Sequence, residues 1–68
     1  MMKVSYNKLW KLLVDRKMSK ADLRKAVKMS PNTMTKMRRD QEISMSILLK
    51  IGDYLDCDIS EIMEFVKD

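Results

Sequence analysis

The sequence predicts an all-α domain of five short helices, and three observations carry that reading. Sixty-eight residues can bury only about 60% of the surface their unfolded chain exposes, so the chain reads as a single domain over residues 1–68 with one modest core. One glycine, one proline and 35% charged residues are unlike a sandwich or barrel, whose strands need turn residues at short intervals. Helix signals recur five times, with polar stops between them and no internal repeat.

The first helix is expected over about 5–16, in "SYNKLWKLLVDR", where Leu9, Leu12 and Leu13 fall at helical spacing behind a Ser5 cap. The second, 19–27, opens with Ser19 followed three residues later by Asp22. In that arrangement a hydroxyl and a returning carboxylate satisfy free amide donors. Leu23, Ala26 and Val27 supply its apolar face.

The only proline then begins the third helix, 31–39. Ser30 reads as the cap and Pro31 as the first helical residue, where a missing N–H has no partner to lose. Proline also steers Ser30 away from helical geometry. The second and third helices are therefore separated by a tight turn at "KMS". A fourth helix is expected from a Ser44 cap through "MSILLKIGDYL", burying Ile47, Leu48, Ile51 and Leu55, with Gly52 tolerated inside it at about 1 kcal/mol. The fifth begins near Asp58, with Glu61 as its capping partner, and carries Ile59, Ile62, Met63 and Val66. Met18, Met29, Met34, Met37 and Met63 sit at core-like spacings, as gap-filling side chains do.

Net charge is +4, and its distribution says more. Residues 1–39 carry twelve Lys/Arg and two Asp/Glu; residues 40–68 carry two and eight. One half is thus +10 and the other −6, the footprint of a polyanion binder whose acidic half faces away. On the third helix Asn32, Thr35, Lys36 and Arg39 share one side at i, i+3, i+4 and i+7, while Met34 and Met37 share another. An α-helix fits the major groove of B-DNA, where an Asn amide pairs with adenine and Lys or Arg donates to guanine. The same stripe on an ordinary surface helix would be solvated and idle, but the charge segregation, the tight turn and the lack of a carboxylate on the stripe favour a reader.

With no histidine and one cysteine, Cys57, the usual zinc clusters and Cys/His nucleophilic pairs cannot be assembled. Cys57 reads as a partly buried, inert thiol. There is no glycine-rich phosphate loop, and caps or solubility account for the carboxylates, so neither an enzyme, a cofactor nor a metal is expected. No apolar run approaches a membrane span and the N-terminus has no signal-peptide stretch, which predicts a cytoplasmic protein.

Residues 18–63, "MSKADLRKAVKMSPNTMTKMRRDQEISMSILLKIGDYLDCDISEIM", resemble the Cro/C1-type (XRE) helix-turn-helix domain of phage repressors and small bacterial regulators, with "LWKLLVDRKM" as its first helix. The resemblance implies a five-helix lambda-repressor-like fold, a motif over about 19–39, and a third helix that reads operator DNA. It matches Ser19 and Lys20 to the start of the motif, Lys20 meeting the DNA backbone or an edge base. It matches Pro31, Asn32 and Lys36 to base edges, and Ser30, Thr33, Thr35 and Arg39 to phosphates. The family's usual turn glycine is replaced by Lys28, whose left-handed conformation would cost roughly 1–2 kcal/mol. The usual glycine after the reading helix is replaced by Asp40, which tolerates that conformation better.

The function implied is sequence-specific recognition of double-stranded DNA by a transcriptional regulator, with repression by promoter occupancy the simplest mechanism. Trp10 is expected to pack locally against the terminal helix. As a second reading, Trp10, Leu13, Val14, Phe65 and Val66 exceed what so small a core needs and would form a homodimer contact, as two-fold operators invite. The rival from another class is a helical protein-interaction module, antitoxin-like or an anti-repressor partner, holding another protein through Trp10 and Phe65. Membrane-surface binding is disfavoured because the basic residues flank a polar stripe.

Overall fold

A computed structural model describes all 68 residues and contains a β-strand β1 (Met2–Ser5), helices α1 (Asn7–Asp15), α2 (Lys20–Ala26), α3 (Pro31–Arg38) and α4 (Met45–Leu55), a single 3₁₀ turn (Ile59–Glu61) and a strand β2 (Glu64–Lys67). Helices α2, α3 and α4 start where the caps predict. Ser19 and Asp22 form the full reciprocal pair, Ser30 accepts from the Thr33 amide with Pro31 behind it, and Ser44 accepts from the Ile47 amide.

The two ends of the chain depart from the all-α expectation. Instead of a fifth helix, Asp58 and Glu61 cap only the 3₁₀ turn, after which β2 pairs antiparallel with β1, Val4 opposite Phe65 and Lys3 opposite Val66. Strand preference depends on what the pleated surface packs against. Here the partner backbone lies some sixty residues away along the chain, where no local period reveals it. Val4 and Tyr6 anchor the pair in the core, which a two-stranded sheet requires to persist. The first helix correspondingly begins two residues late. Ser5 ends β1 with its side chain buried, and its hydroxyl accepts from the Asn7 amide without capping α1, whose N-cap is Tyr6.

One core joins these elements: Leu9 and Leu13 from α1, Leu23 and Val27 around α2, Met29, Met34 and Met37 around α3, Leu48, Ile51 and Leu55 from α4, and Ile62. Met18 and Met63 pack against it half-buried, as does Leu12. Ala26, assigned to the apolar face of α2, is exposed instead; two buried side chains suffice for so short a helix. Gly52 has a reason beyond tolerance, because a Cβ there would meet the Cys57 carbonyl at 3.1 Å. Cys57 itself is partly buried, and burial, then Glu61, pushes its thiol up. No helix is long and apolar enough to cross a membrane.

All four helices close in one way. The chain turns left-handed at Lys17 (φ 57°), Lys28 (φ 56°), Asp40 (φ 56°) and Asp56 (φ 53°). The next amide then reaches back to the carbonyl five residues earlier: Met18 to Leu13 at 2.9 Å, Met29 to Arg24 at 2.8 Å, Gln41 to Lys36 at 2.9 Å and Cys57 to Gly52 at 3.0 Å. This closure satisfies carbonyls that the helix leaves free and is usually made by glycine. Here no glycine occupies the left-handed position. At Lys28 the turn keeps its geometry and bears the strain that the sequence foreshadowed.

Candidate nucleic-acid interface

The tight turn and the capped start of α3 aim this helix outward. Met34 and Met37 are buried beneath it, so its opposite side must face solvent. Pro31, Asn32, Lys36 and Arg39 are exposed, and Thr33 and Thr35 are half-buried. Asn32 and Lys36 stand one helical turn apart and neither makes a side-chain hydrogen bond or ion pair within the molecule. The one ion pair of the structure joins Lys8 to Glu64 at 3.2 Å on another face, leaving the cations of α2 and α3 without a carboxylate partner.

The hydroxyls are less free than their positions imply. Ser30 Oγ accepts from the Thr33 amide at 3.2 Å and lies 3.0 Å from Thr33 Oγ1. Thr35 Oγ1 donates back to the Pro31 carbonyl at 3.0 Å. At the start of α2, Ser19 Oγ accepts from the Asp22 amide, and the Ser19 amide donates to Asp22 Oδ2, each at 3.0 Å. The Ser19 amide first, and then its hydroxyl, hold the Asp22 carboxyl below its ordinary range. Lys20, the next residue, lays its ammonium over the Trp10 ring, 4.4 Å from the centroid. Trp10 also lies near Tyr6, ring centroids 6.5 Å apart.

Two arginines that stand off the Asn32–Arg39 stripe, Arg24 and Arg38, lie beside these residues. A notch of about 240 Å³ between α2 and α3 is lined by Lys20, Arg24 and Arg38 together with Pro31, Met34 and Thr35. Their signal was present: Pro31, Met34, Thr35 and Arg38 repeat at i, i+3, i+4 and i+7, one edge over from the stripe. Which helix this edge would face was not readable.

The far end of α3 is tied down. Asp40 Oδ1 accepts from the Tyr6 amide at 3.3 Å, and the Tyr6 hydroxyl donates to the Gln41 carbonyl at 2.8 Å. Burial, then the charges of Asp40 and Glu42, raises the Tyr6 phenol.

The second group of candidates, the apolar contact, is not brought together. Leu13 is 2% exposed and belongs to the core, so it offers no surface. Phe65 and Val66 are neighbours on a strand and face opposite sides of it. Phe65 is 69% and Val14 74% exposed, while Trp10 is half-buried against Tyr6 and Lys20, not against a terminal helix.

Comparison with known proteins gives two findings. The family model of the Cro/C1-type HTH DNA-binding domain matches residues 8–68. The chain is also similar to a solved structure described as the transcriptional regulator VanUg, crystal form II, with TM-score 0.97 and 48% identity over 98% of this chain and 89% of that one. No curated protein matches.

Proposed function

The chain belongs to the Cro/C1-type helix-turn-helix DNA-binding family, and on that premise we propose a regulator of transcription that recognises a specific duplex sequence by inserting α3 into the major groove. The observation that carries this reading is the pair Asn32 and Lys36, exposed one turn apart on a helix whose other side is buried, with no internal partner. Asn32 suits adenine and Lys36 suits guanine, while Pro31 supplies only apolar contact, as to a thymine methyl. Lys20, Arg39 and the hydroxyls of Ser19, Ser30 and Thr33 are assigned to phosphates, which fix register without reading sequence, while Thr35 lies on the same side with its hydroxyl proton already donated to the Pro31 carbonyl. Repression by occupying a promoter needs no further part, and the similarity to a structure described as a transcriptional regulator supports the regulatory role. The protein is assigned as a homodimer at a two-fold operator, half-sites about one helical turn of DNA apart; the exposed ring of Phe65 supports an additional protein contact.

Selection of bound sites from a random duplex pool at two salt concentrations tests the proposal. A symmetric motif is expected, with affinity falling steeply as salt rises. Asn32→Ala with Lys36→Ala is expected to abolish preference among duplexes while the thermal melt is unchanged; selection of the same motif by that variant would refute the assigned reading face.

A further inference from the structure

Three cations converge on the notch between α2 and α3, and no carboxylate lines it. Like charges brought together without a counter-charge raise the free energy of the unliganded protein, and an anion placed among them relieves it. Two of the three are also held in place. Lys20 rests on the Trp10 ring at 4.4 Å, a cation–π attraction that restrains the ammonium instead of leaving it to sweep through solvent. Arg24 donates from Nη1 to the Met29 carbonyl at 3.5 Å, which sets its guanidinium across the turn with its other N–H groups to spare. Arg38, in the last turn of α3, has no internal partner. The hydroxyl of Thr35 is engaged with the Pro31 carbonyl, so the charged groups are the donors that remain.

We infer that this notch is a seat for a backbone phosphate of the bound duplex, with Arg24 and Arg38 as ligands and Trp10 as a positioning residue that acts through Lys20. The inference rests on the DNA-binding reading above and deepens it, because it adds an anchor on the α2 side of the reading helix that carries no sequence preference. Pro31 belongs to both the notch and the base-reading end of α3, so a phosphate held here would set how deeply that end enters the groove.

Arg38→Gln in the full chain, titrated with a selected duplex and an unrelated one over a range of salt, tests the seat. It is expected to weaken both about five-fold near 0.15 M salt and to make log K against log salt shallower by about 0.9, the release of counterion from one phosphate. Emission from Trp10, the only tryptophan, is expected to shift when either duplex is added to the wild type, and to shift less in Lys20→Gln. Arg24→Gln, titrated in the same way, keeps the test decisive if Arg38→Gln fails to fold. Loss confined to the selected duplex would make Arg38 a base reader and overturn the seat. Unchanged affinity and slope would overturn it while leaving the DNA reading in place. Inorganic phosphate that produces the same emission shift at millimolar concentration would reassign the notch to free phosphate. A wild type that binds no duplex in dilute salt would overturn the DNA reading and this inference with it.

Discussion

The segment that starts at Ser19 and the segment that starts at Asp58 open with the same device and end as different structures. Each begins with a side-chain oxygen capping forward and a carboxylate three residues on returning to the cap amide. The first continues as a helix to Ala26 and the second stops after one 3₁₀ turn. A cap lowers the cost of beginning a helix, but length comes from what the following residues can bury. Leu23 and Val27 lie one turn apart and both reach the core. After Ile62, by contrast, Phe65 and Val66 find a strand beside them, and the chain becomes extended.

If burial rather than capping decides the two outcomes, core truncations must outweigh cap removal in both segments. Leu23→Ala and Ile62→Ala, each at a fully buried site, are expected to destabilise by about 2–5 kcal/mol, measured by urea unfolding. Equal losses would show that the short second segment is anchored as firmly as the helix. Ser19→Ala is expected to cost about 1 kcal/mol, and Asp58→Ala less, because only one turn depends on that cap; a larger effect at Asp58 would break the comparison. Closure sharpens it further. The first segment leaves its helix through left-handed Lys28, while the second passes from Ile62 straight toward β2. Lys28→Gly is therefore expected to stabilise by up to about 1 kcal/mol in a thermal melt, strain relief partly offset by the greater freedom of the unfolded chain.

The smallest effect is shared. Asp22 is held below the ordinary carboxylate range by the Ser19 amide and hydroxyl, and Asp58 by the Ser60 hydroxyl and amide. A carboxyl whose folded pKa is depressed adds stability above its unfolded value and loses it as pH falls through the folded one. Stability is therefore expected to be level at neutral pH and to decline below about 3.8, the unperturbed value of both groups. Asp22→Asn should flatten part of that decline, followed by circular dichroism against pH.

The same contrast explains which parts of the fold and the site were legible. Caps at Ser19, Ser30 and Ser44, the placement of Pro31 and the inward methionines Met34 and Met37 are written within a few residues of one another, and the structure reproduces them. The exposed pair Asn32 and Lys36 follows from the same period. Pairing of β1 with β2 was illegible because each strand supplies only half of the evidence for itself, and residues 62–66 also satisfy a helical period. Leu13 follows Leu9 at i+4 and belongs to the core by that period, so counting it toward a surface contact gives apolar content more weight than spacing. The pairing of Arg24 with Arg38 is not legible in the sequence because a notch belongs to two helices at once, and their crossing is not encoded in either helix alone.

The clasp at Tyr6 has a mechanical consequence. Its amide and hydroxyl grip the chain just beyond the C-terminal end of α3, while the opposite end, at Pro31, is held by the Ser30 cap and by the buried Met34. Tyr6 thereby ties the start of α1 to the end of α3. On the proposed reading, the clasp fixes where the helix ends, and the depth of its first turn is left to whatever the Pro31 end meets.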